Sequence, residues 1–432
     1  MKTIFISSFH PLISRNILST RLISVLAEKN IKTVILVPQK KLDFFKKEYE
    51  TNCPGAVFEG ISASTTRREK FLQYLSLAAV KSNSLALQRS TEMTGRGAWL
   101  AAFFGGRQVF WFFVRLMSDI FIPAGTFTWV FGRYKTDLVF STDAQNELDI
   151  RMRKDAKIRG VRAVAAIRSW DNLTTKGLLR ILPEKLLVQN DIAKKEAIRL
   201  HGAKADAVEV IGIPHYDFYF TQLGGARSGA AKKIALFVPT GDRYIKNNTV
   251  DRDILKMLDE ALDKSWQILI RLPPTDSVSY LDNMKTNERF VFDRPGKSFN
   301  VHKNAELNRD DDLRLIDELK ESSFVISGPS TMAIDAVFFD KPVVLMAFDG
   351  LERRLYLESI KRYYDYDHWR PVIESGGVKL AKNPKEFFNM IKYCIEDPKR
   401  DEENRKKVSE KFCFKADGKA TERLANSLLK MI

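Results

Sequence analysis

Short apolar runs alternate with amphipathic segments along most of the chain. Residues 3–8 (TIFISS) read as a buried strand, and residues 16–29 carry Ile17, Leu18, Leu22 and Leu26 at helical spacing. Residues 33–38 (TVILVP) form a second strand. Further apolar runs follow at 137–141, 162–167, 185–189 and 208–213, with helical segments among them. Alternation of this kind builds a parallel sheet, because parallel neighbours need a crossover long enough to hold a helix. Residues 222–232 (QLGGARSGAAK) break the pattern with small and polar side chains of the kind that joins domains. Beyond them the alternation restarts. Strands are predicted at 234–239, 267–272, 289–293, 324–327 and 342–346, and helices at 251–264 and 313–321. The pattern predicts an α/β chain of two Rossmann-like domains, 1–221 and 233–432, with mainly parallel sheets facing a central cleft. Ligands of such sheets bind outside the carboxyl ends of the strands, so the residues just after each strand carry the chemistry.

The most aromatic stretch departs from this alternation. Residues 98–131 include Trp99, Trp111 and Trp129, but Arg107, Arg115 and Asp119 interrupt them, leaving no uncharged run near the ~18–20 residues of a spanning helix. A helix pair in the first core accounts for the stretch. So does an interfacial segment, with Trp and Phe at the headgroup level and Arg67, Arg68, Lys70, Lys81, Arg89, Arg96, Arg107 and Arg115 attracting anionic lipid. Both can hold at once, and the segment near 60–131 is read as a membrane-facing insertion. Charge sharpens this picture: the net charge is +16, and residues 1–130 hold 17 basic and 8 acidic side chains. An anionic membrane surface and a nucleotide-activated donor suit that excess. Nucleic acid is not the expected partner, for there is no aromatic RNA-binding strand, zinc-finger spacing or basic recognition helix. Cys53, Cys394 and Cys413 are scattered and lack CxxC spacing, so neither a disulfide framework nor a zinc site is indicated. A reducing compartment follows, and the opening residues read as a strand and not as a signal peptide. The expected location is cytoplasmic, peripheral on the inner face of the membrane.

Chemistry-bearing residues gather after the predicted strands. Gly328, Pro329, Ser330 and Thr331 follow the strand at 324–327, and a helix starts there with Ser330 able to cap it. Free amides at such a start suit a diphosphate, and Asp335 one turn on can accept from ribose hydroxyls. An ordinary capped helix gives the same spacing. The run S-G-P-S-T-x-x-x-D-A, continued by Asp340-Lys341-Pro342-Val343, resembles the donor-binding helix of GT-B enzymes. It is most similar to UDP-N-acetylglucosamine 2-epimerases and CDP-glycerol glycerophosphotransferases, with Asp340 in place of the usual glycine. Ile211-Gly212-Ile213-Pro214-His215-Tyr216-Asp217 resembles the V-x-G-x-P-R-x-D junction of these families, His215 replacing arginine. The tail from Asp417 to Arg423 is similar to their D-G-K-A-S-E-R ending. Thr240 and Gly241 stand where the family places a loop facing the donor, and Arg271-Leu272-Pro273-Pro274 resembles an R-x-H-P turn without its histidine. The resemblance covers about residues 207–432.

Two further groups are candidates in the first domain. Arg168, Ser169, Trp170, Asp171, Asn172 and Lys176 follow the strand at 162–167; Asp171 suits a general base or an acceptor-orienting group, and an Asx-type turn accounts for the same residues. The pattern S-W-D-N-x-T-x-K-G resembles a set of bacterial GT-B-like sequences. His10 follows the first strand, at a position like that of the histidine base of inverting GT-B glycosyltransferases. His201, His302 and His368 read as surface positions. No pair of residues has metal-ligand spacing, and no cofactor is expected beyond a nucleotide-activated sugar or CDP-polyol as donor substrate. GxSxG, GxxxxGK[ST] and GxGxxG patterns are missing. These residues predict a metal-independent GT-B glycosyltransferase or glycerophosphotransferase. It would move a sugar or polyol phosphate to a lipid-linked or glycan acceptor at a membrane, in cell-surface polysaccharide or glycolipid synthesis. A hydrolysing NDP-sugar 2-epimerase and a catalytically degenerate GT-B protein that binds glycan or membrane are the alternatives.

Overall fold

Seven strands, β1 (Lys2–Ser7), β2 (Ile31–Pro38), β3 (Val57–Ile61), β4 (Leu138–Ser141), β5 (Arg162–Ala166), β6 (Lys185–Val188) and β7 (Val208–Val210), make the first sheet. They pair in parallel in the order β3-β2-β1-β4-β5-β6-β7. A second sheet holds β8 (Ile234–Val238), β9 (Gln267–Arg271), β10 (Phe290–Asp293), β13 (Phe324–Ser327), β14 (Val343–Met346) and β15 (Lys379–Ala381), all parallel, in the order β10-β9-β8-β13-β14-β15. Strands β11 (Lys297–Phe299) and β12 (Val301–Glu306) form a separate antiparallel pair. This is a computed structural model, and it describes residues 1–92, 101, 103–223, 233–245, 247–299 and 301–432. Arg96, Trp99 and most of the predicted linker lie outside the described residues.

In each sheet the strand order reverses once, between β1 and β4 and between β8 and β13. A chain that winds to one side and then returns to the other leaves its loops diverging at that point, and ligands of open α/β sheets enter there. The central strands are apolar without alternation, as in FVIS of β13 and LVFS of β4, where every residue is buried. Both faces of these sheets are covered, so the middles of the central strands are apolar, with Ser7, Ser141 and Ser327 standing at their carboxyl ends.

The helices that matter below are α1 (Leu22–Glu28), α2 (Arg67–Ala79), α3 (Gln108–Phe121), α4 (Glu147–Ile158), α5 (Asn172–Thr175), α6 (Val250–Ala261), α7 (Arg309–Glu321), α8 (Met332–Phe338) and α9 (Ala420–Leu429). The spacing predicts one helix over 16–29, but the structure breaks it in two at Ser19–Arg21. Thr20 is the cause: its hydroxyl donates to the Ile17 carbonyl at 2.6 Å and accepts from the Leu22 amide at 3.3 Å, starting a new helix. The aspartates at 310–312 begin α7, with Asn308 and Asp311 forming a reciprocal cap. In α3, Phe110, Trp111 and Val114 are buried, whereas Val109, Phe112, Phe113, Leu116 and Ile120 are exposed. This helix is therefore apolar on both faces.

The chain divides into one unit of Met1–Thr221 plus Phe412–Ile432 and another of Gln222–Lys411. The sequence pattern leaves the last residues with the second domain. The structure returns them to the first, because Leu424, Ala425 and Leu428 of α9 complete the apolar cluster formed by Ile4, Ile6, Leu22, Ile23 and Leu26. Two motifs read separately in the sequence are one joint here. The Asp217 carboxylate accepts from the Ala420 and Thr421 amides at 2.9 and 2.6 Å and so caps α9. Arg423 donates to the Ile211 carbonyl at 2.8 Å and to both oxygens of Asp417. Asp217→Ala is expected to cost the first unit about 1–2 kcal/mol, the usual loss of a helix cap, read from the midpoint of urea unfolding.

Candidate active site

At the carboxyl edge of the first sheet the ends of β1 and β4 are fastened together by their own polar side chains. The Thr142 amide donates to Ser7 Oγ and the Thr142 hydroxyl to the Ser7 carbonyl, both at 2.9 Å. Behind them the buried Asp149 of α4 accepts from the Ser7 hydroxyl and from Ser141 Oγ at 2.9 Å. Burial, and after it the neighbouring Asp143, push the Asp149 carboxyl up to about 7.

Asp143, one residue beyond Thr142, pairs with Arg168 after β5, and both side chains are buried. Sequence reasoning missed Asp143, although it stands two residues beyond a predicted strand. His10 meets this pair at the switch point. Burial first and the Arg168 charge second pull its imidazolium down to about 3, with Asp143 opposing and Lys176 adding to the effect. The ring is therefore neutral at physiological pH. Its Nδ1 accepts from the Leu12 amide at 3.2 Å, which leaves the proton on Nε2. In this arrangement His10 offers a donor at Nε2.

Beside Arg168 lies a cavity of about 40 Å³, also lined by Thr142, Gln189, Pro214 and His215. Arg168 Nε, Gln189 Oε1 and His215 Nδ1 meet no protein partner. The space suits a single water molecule or a hydroxyl group. His215 stands edge-on to Tyr216 and Tyr219, with ring centroids 4.7 and 5.7 Å away, and burial holds its pKa well below the usual value. The structure thus brings Arg168, His215 and His10 to one sheet edge.

Much of the segment after β5 is occupied with its own geometry. The Asn172 amide donates to the Ser169 carbonyl at 3.1 Å, and the hydroxyls of Thr174 and Thr175 bond back to the Asp171 carbonyl at 3.0 and 2.9 Å. Trp170 packs edge-on against Phe412, and the Asn172 side chain is buried. Gly177 has φ +85°, and a Cβ there would meet Ser76 Oγ at 2.7 Å. The Thr and Gly positions of this motif therefore build the turn. Asp171 is half-buried and accepts from Thr175 Oγ1 at 3.2 Å; Lys176 is exposed.

The switch point of the second sheet joins the loops after β8 and β13. A Cβ on Gly328 would stand 2.5 Å from Thr240 Oγ1, so only glycine lets the two strand ends approach this closely. Few amides are left to bind an anion. Those of Thr240 and Gly241 donate to the buried Asp251 carboxylate at 2.8 and 3.1 Å. That of Gly328 donates to the Val238 carbonyl, that of Ser330 to the Gly328 carbonyl, and that of Met332 to Ser330 Oγ. Pro329 has none. Among the described residues of this turn, the amide of the exposed Thr331 remains. The expectation of an amide-rich turn is corrected: proline and the serine cap consume the donors.

Two other expected donor contacts are also spoken for. Arg271 pairs with Asp293 at 2.9 Å and Glu318 at 2.5 Å and is buried. Asp335 is 3 % exposed within α8. Arg243, missed in the sequence, is half-exposed on the loop after β8 and lies over the Tyr244 ring at 5.0 Å. It follows the Pro239–Asp242 segment that the resemblance singles out. Asp340 has φ +55°, a left-handed conformation that favours glycine, and its carboxylate holds the buried Arg405 at 2.7 Å. His201, expected at the surface, is fully buried and bonded through both ring nitrogens to Leu179 and Leu173 backbone atoms. His368 is buried too.

Two doubly wound parallel sheets of this order are the GT-B architecture. Solved structures of that class match over the whole chain. The UDP-GlcNAc 2-epimerase of Methanocaldococcus jannaschii is 15% identical with a TM-score of 0.58, covering 100% of both chains. The UDP-GlcNAc 2-epimerase of Neisseria meningitidis, solved bound to UDP-GlcNAc, is 12% identical at 0.55, again covering 100% of both. A glycosyltransferase of Rickettsia africae is 11% identical at 0.53, covering 99% of each. At such identities the likeness establishes the fold. No curated protein matches significantly. The sequence pattern of the CDP-glycerol:poly(glycerophosphate) glycerophosphotransferases matches residues 149–430, and the chain belongs to that family. It is a transferase of the kind that uses a nucleotide-activated donor. Among the described residues no helix is long and apolar enough to cross a membrane.

Proposed function

We propose that the protein transfers a polyol phosphate from a CDP-activated donor to a hydroxyl of a polyol-phosphate or glycan acceptor held at a membrane surface. The observation that carries this reading is the donor-bearing edge of the first sheet, where the exposed Lys176 and the neutral His10 stand beside the Arg168–Asp143 pair; the ammonium of Lys176 and the N–H of His10 suit a phosphate-bearing acceptor. The family match supports a nucleotide-activated donor, and a cytidine nucleotide is the form of it that the family's description favours.

The acceptor oxygen attacks the donor's distal phosphorus; a P–O bond forms, the bond to the nucleotide's phosphate oxygen breaks, and CMP leaves. The hydroxyl proton passes to Asp171, the carboxylate of this edge that reaches solvent, since Asp143 and Asp149 are buried. His10 donates through Nε2 and orients the acceptor. Taken by itself, the second unit offers donor phosphates the Thr331 amide, the Ser330 hydroxyl and the exposed Arg243. Asp335, buried as it is, makes no ribose contact without a shift of α8.

Calorimetry with CMP, CDP and UDP tests the donor reading. Cytidine nucleotides are expected to bind, and Arg243→Ala to weaken them about fivefold, as befits a half-exposed charge-assisted contact. A chain that binds none of the three removes the proposal. Conversion of UDP-N-acetylglucosamine to its 2-epimer would move the chain to the epimerase class.

A further inference from the structure

Helix α3 presents Val109 (82 % exposed), Phe112 (68 %), Phe113, Leu116 and Ile120 (59 %) to solvent. Steps of three and four residues align them in one stripe, while Trp111 on the opposite face fastens the helix through its indole N–H to the Ala79 carbonyl at 2.9 Å. A stripe of five large apolar side chains facing water needs a partner.

The rim of the stripe is cationic. Arg107 lies over the exposed Phe103 ring at 5.5 Å, and Arg68 lies over Phe121 at 5.9 Å. Arg67 and Lys70 are exposed on α2, which packs along α3. Beside the stripe opens a pocket of about 320 Å³ lined by Arg115, Asp119, Lys157, Arg180, Leu182 and Glu184. Arg115 and Asp119 follow Phe112 and Leu116 by three residues on α3, so the pocket borders the apolar face. Arg180 is 3 % exposed and bonded to Glu147 through one nitrogen, but its Nη1 meets no partner. Lys157 reaches solvent at the mouth and pairs with Asp119 at 2.8 Å.

We propose that the α3 stripe is a docking face for an anionic lipid bilayer, with the adjoining Arg180–Lys157 pocket taking a headgroup phosphate. The stripe enters the headgroup layer, and the arginine rim pairs with lipid phosphates. Charge decides against a second copy of the chain: a two-fold contact through this face would set one arginine rim against another. The inference rests on the proposed function for the acceptor's location, while the docking is measured without donor or acceptor.

The test is sedimentation of the full chain with phosphatidylcholine vesicles, either pure or with roughly a third phosphatidylglycerol, the anionic fraction that sets the surface potential. Binding at least tenfold tighter to the anionic vesicles is expected. Phe112→Ser with Leu116→Ser, both exposed and tolerable to the fold, is expected to abolish it, and Lys157→Glu to reduce the anionic preference severalfold. Equal binding to both vesicles, or undiminished binding by the double variant, overturns the docking face. An unchanged preference in Lys157→Glu overturns the pocket. A concentration-dependent dimer lost in the double variant would assign the stripe to a second copy instead. Vesicle binding by a chain that binds no cytidine nucleotide would leave the docking standing and remove the proposed transfer reaction.

Discussion

Asp171→Asn is expected to lower the turnover number by about 10³-fold, within the range that a positioned general base supplies, while leaving donor affinity unchanged. The amide keeps the size of the carboxylate and can still accept from Thr175 Oγ1, so the turn around α5 survives. His10→Gln is expected to behave differently. Its side-chain amide still offers an N–H where the imidazole offers Nε2–H, and the loss should stay near tenfold, the weight of one neutral hydrogen bond. The pH profile separates the two roles. With the imidazolium of His10 held at about 3, its titration lies far below the working range, so His10→Gln should leave the profile where it is. If turnover fell about 10³-fold in His10→Gln and stayed intact in Asp171→Asn, the two assignments would exchange.

The second large effect concerns stability. Asp149 holds its proton up to about 7 in the folded chain, against 3.8 for an ordinary aspartate. Between those values the folded state binds a proton that the unfolded state has released. Its contribution is full below the unfolded value and is lost as pH rises through about 7. A shift of this size corresponds to an upper bound of about 4 kcal/mol. Asp149→Asn is neutral at every pH and keeps acceptors for Ser7 and Ser141. Relative to parity below the unfolded value, urea unfolding should therefore find the variant about 1.5 kcal/mol more stable at pH 5 and about 4 kcal/mol more stable at pH 8, both at the upper bound. Glu318, also raised to about 7, leaves a residual slope in both proteins. A constant difference between pH 5 and 8 would mean that Asp149 is charged throughout.

The strands were legible because a sheet covered on both faces demands unbroken apolar runs, and LVFS, IALFV and FVIS have no other use. Pairings across the chain were not. Nothing beside Arg271 in sequence reveals that Glu318, 47 residues on, takes its charge, or that Asp251 reaches back to the amides of Thr240 and Gly241. Periodicity says which face a residue occupies and is silent about its partner. The same limit explains Asp143 and Arg243, which are ordinary loop residues until the strand order sets them at the two switch points. His201 misled for a related reason: a helix end with basic neighbours reads as surface, yet two backbone contacts hold the ring inside.

Helix α9 supplies Leu424, Ala425 and Leu428 to a core that begins at Ile4. On the ribosome, then, the unit that emerges first is the last to finish. Its sheet must wait, with one side uncovered, while nearly two hundred residues of the other unit are made and can already close on themselves. Nascent chains halted before residue 420 would carry a completed insert within an unfinished host.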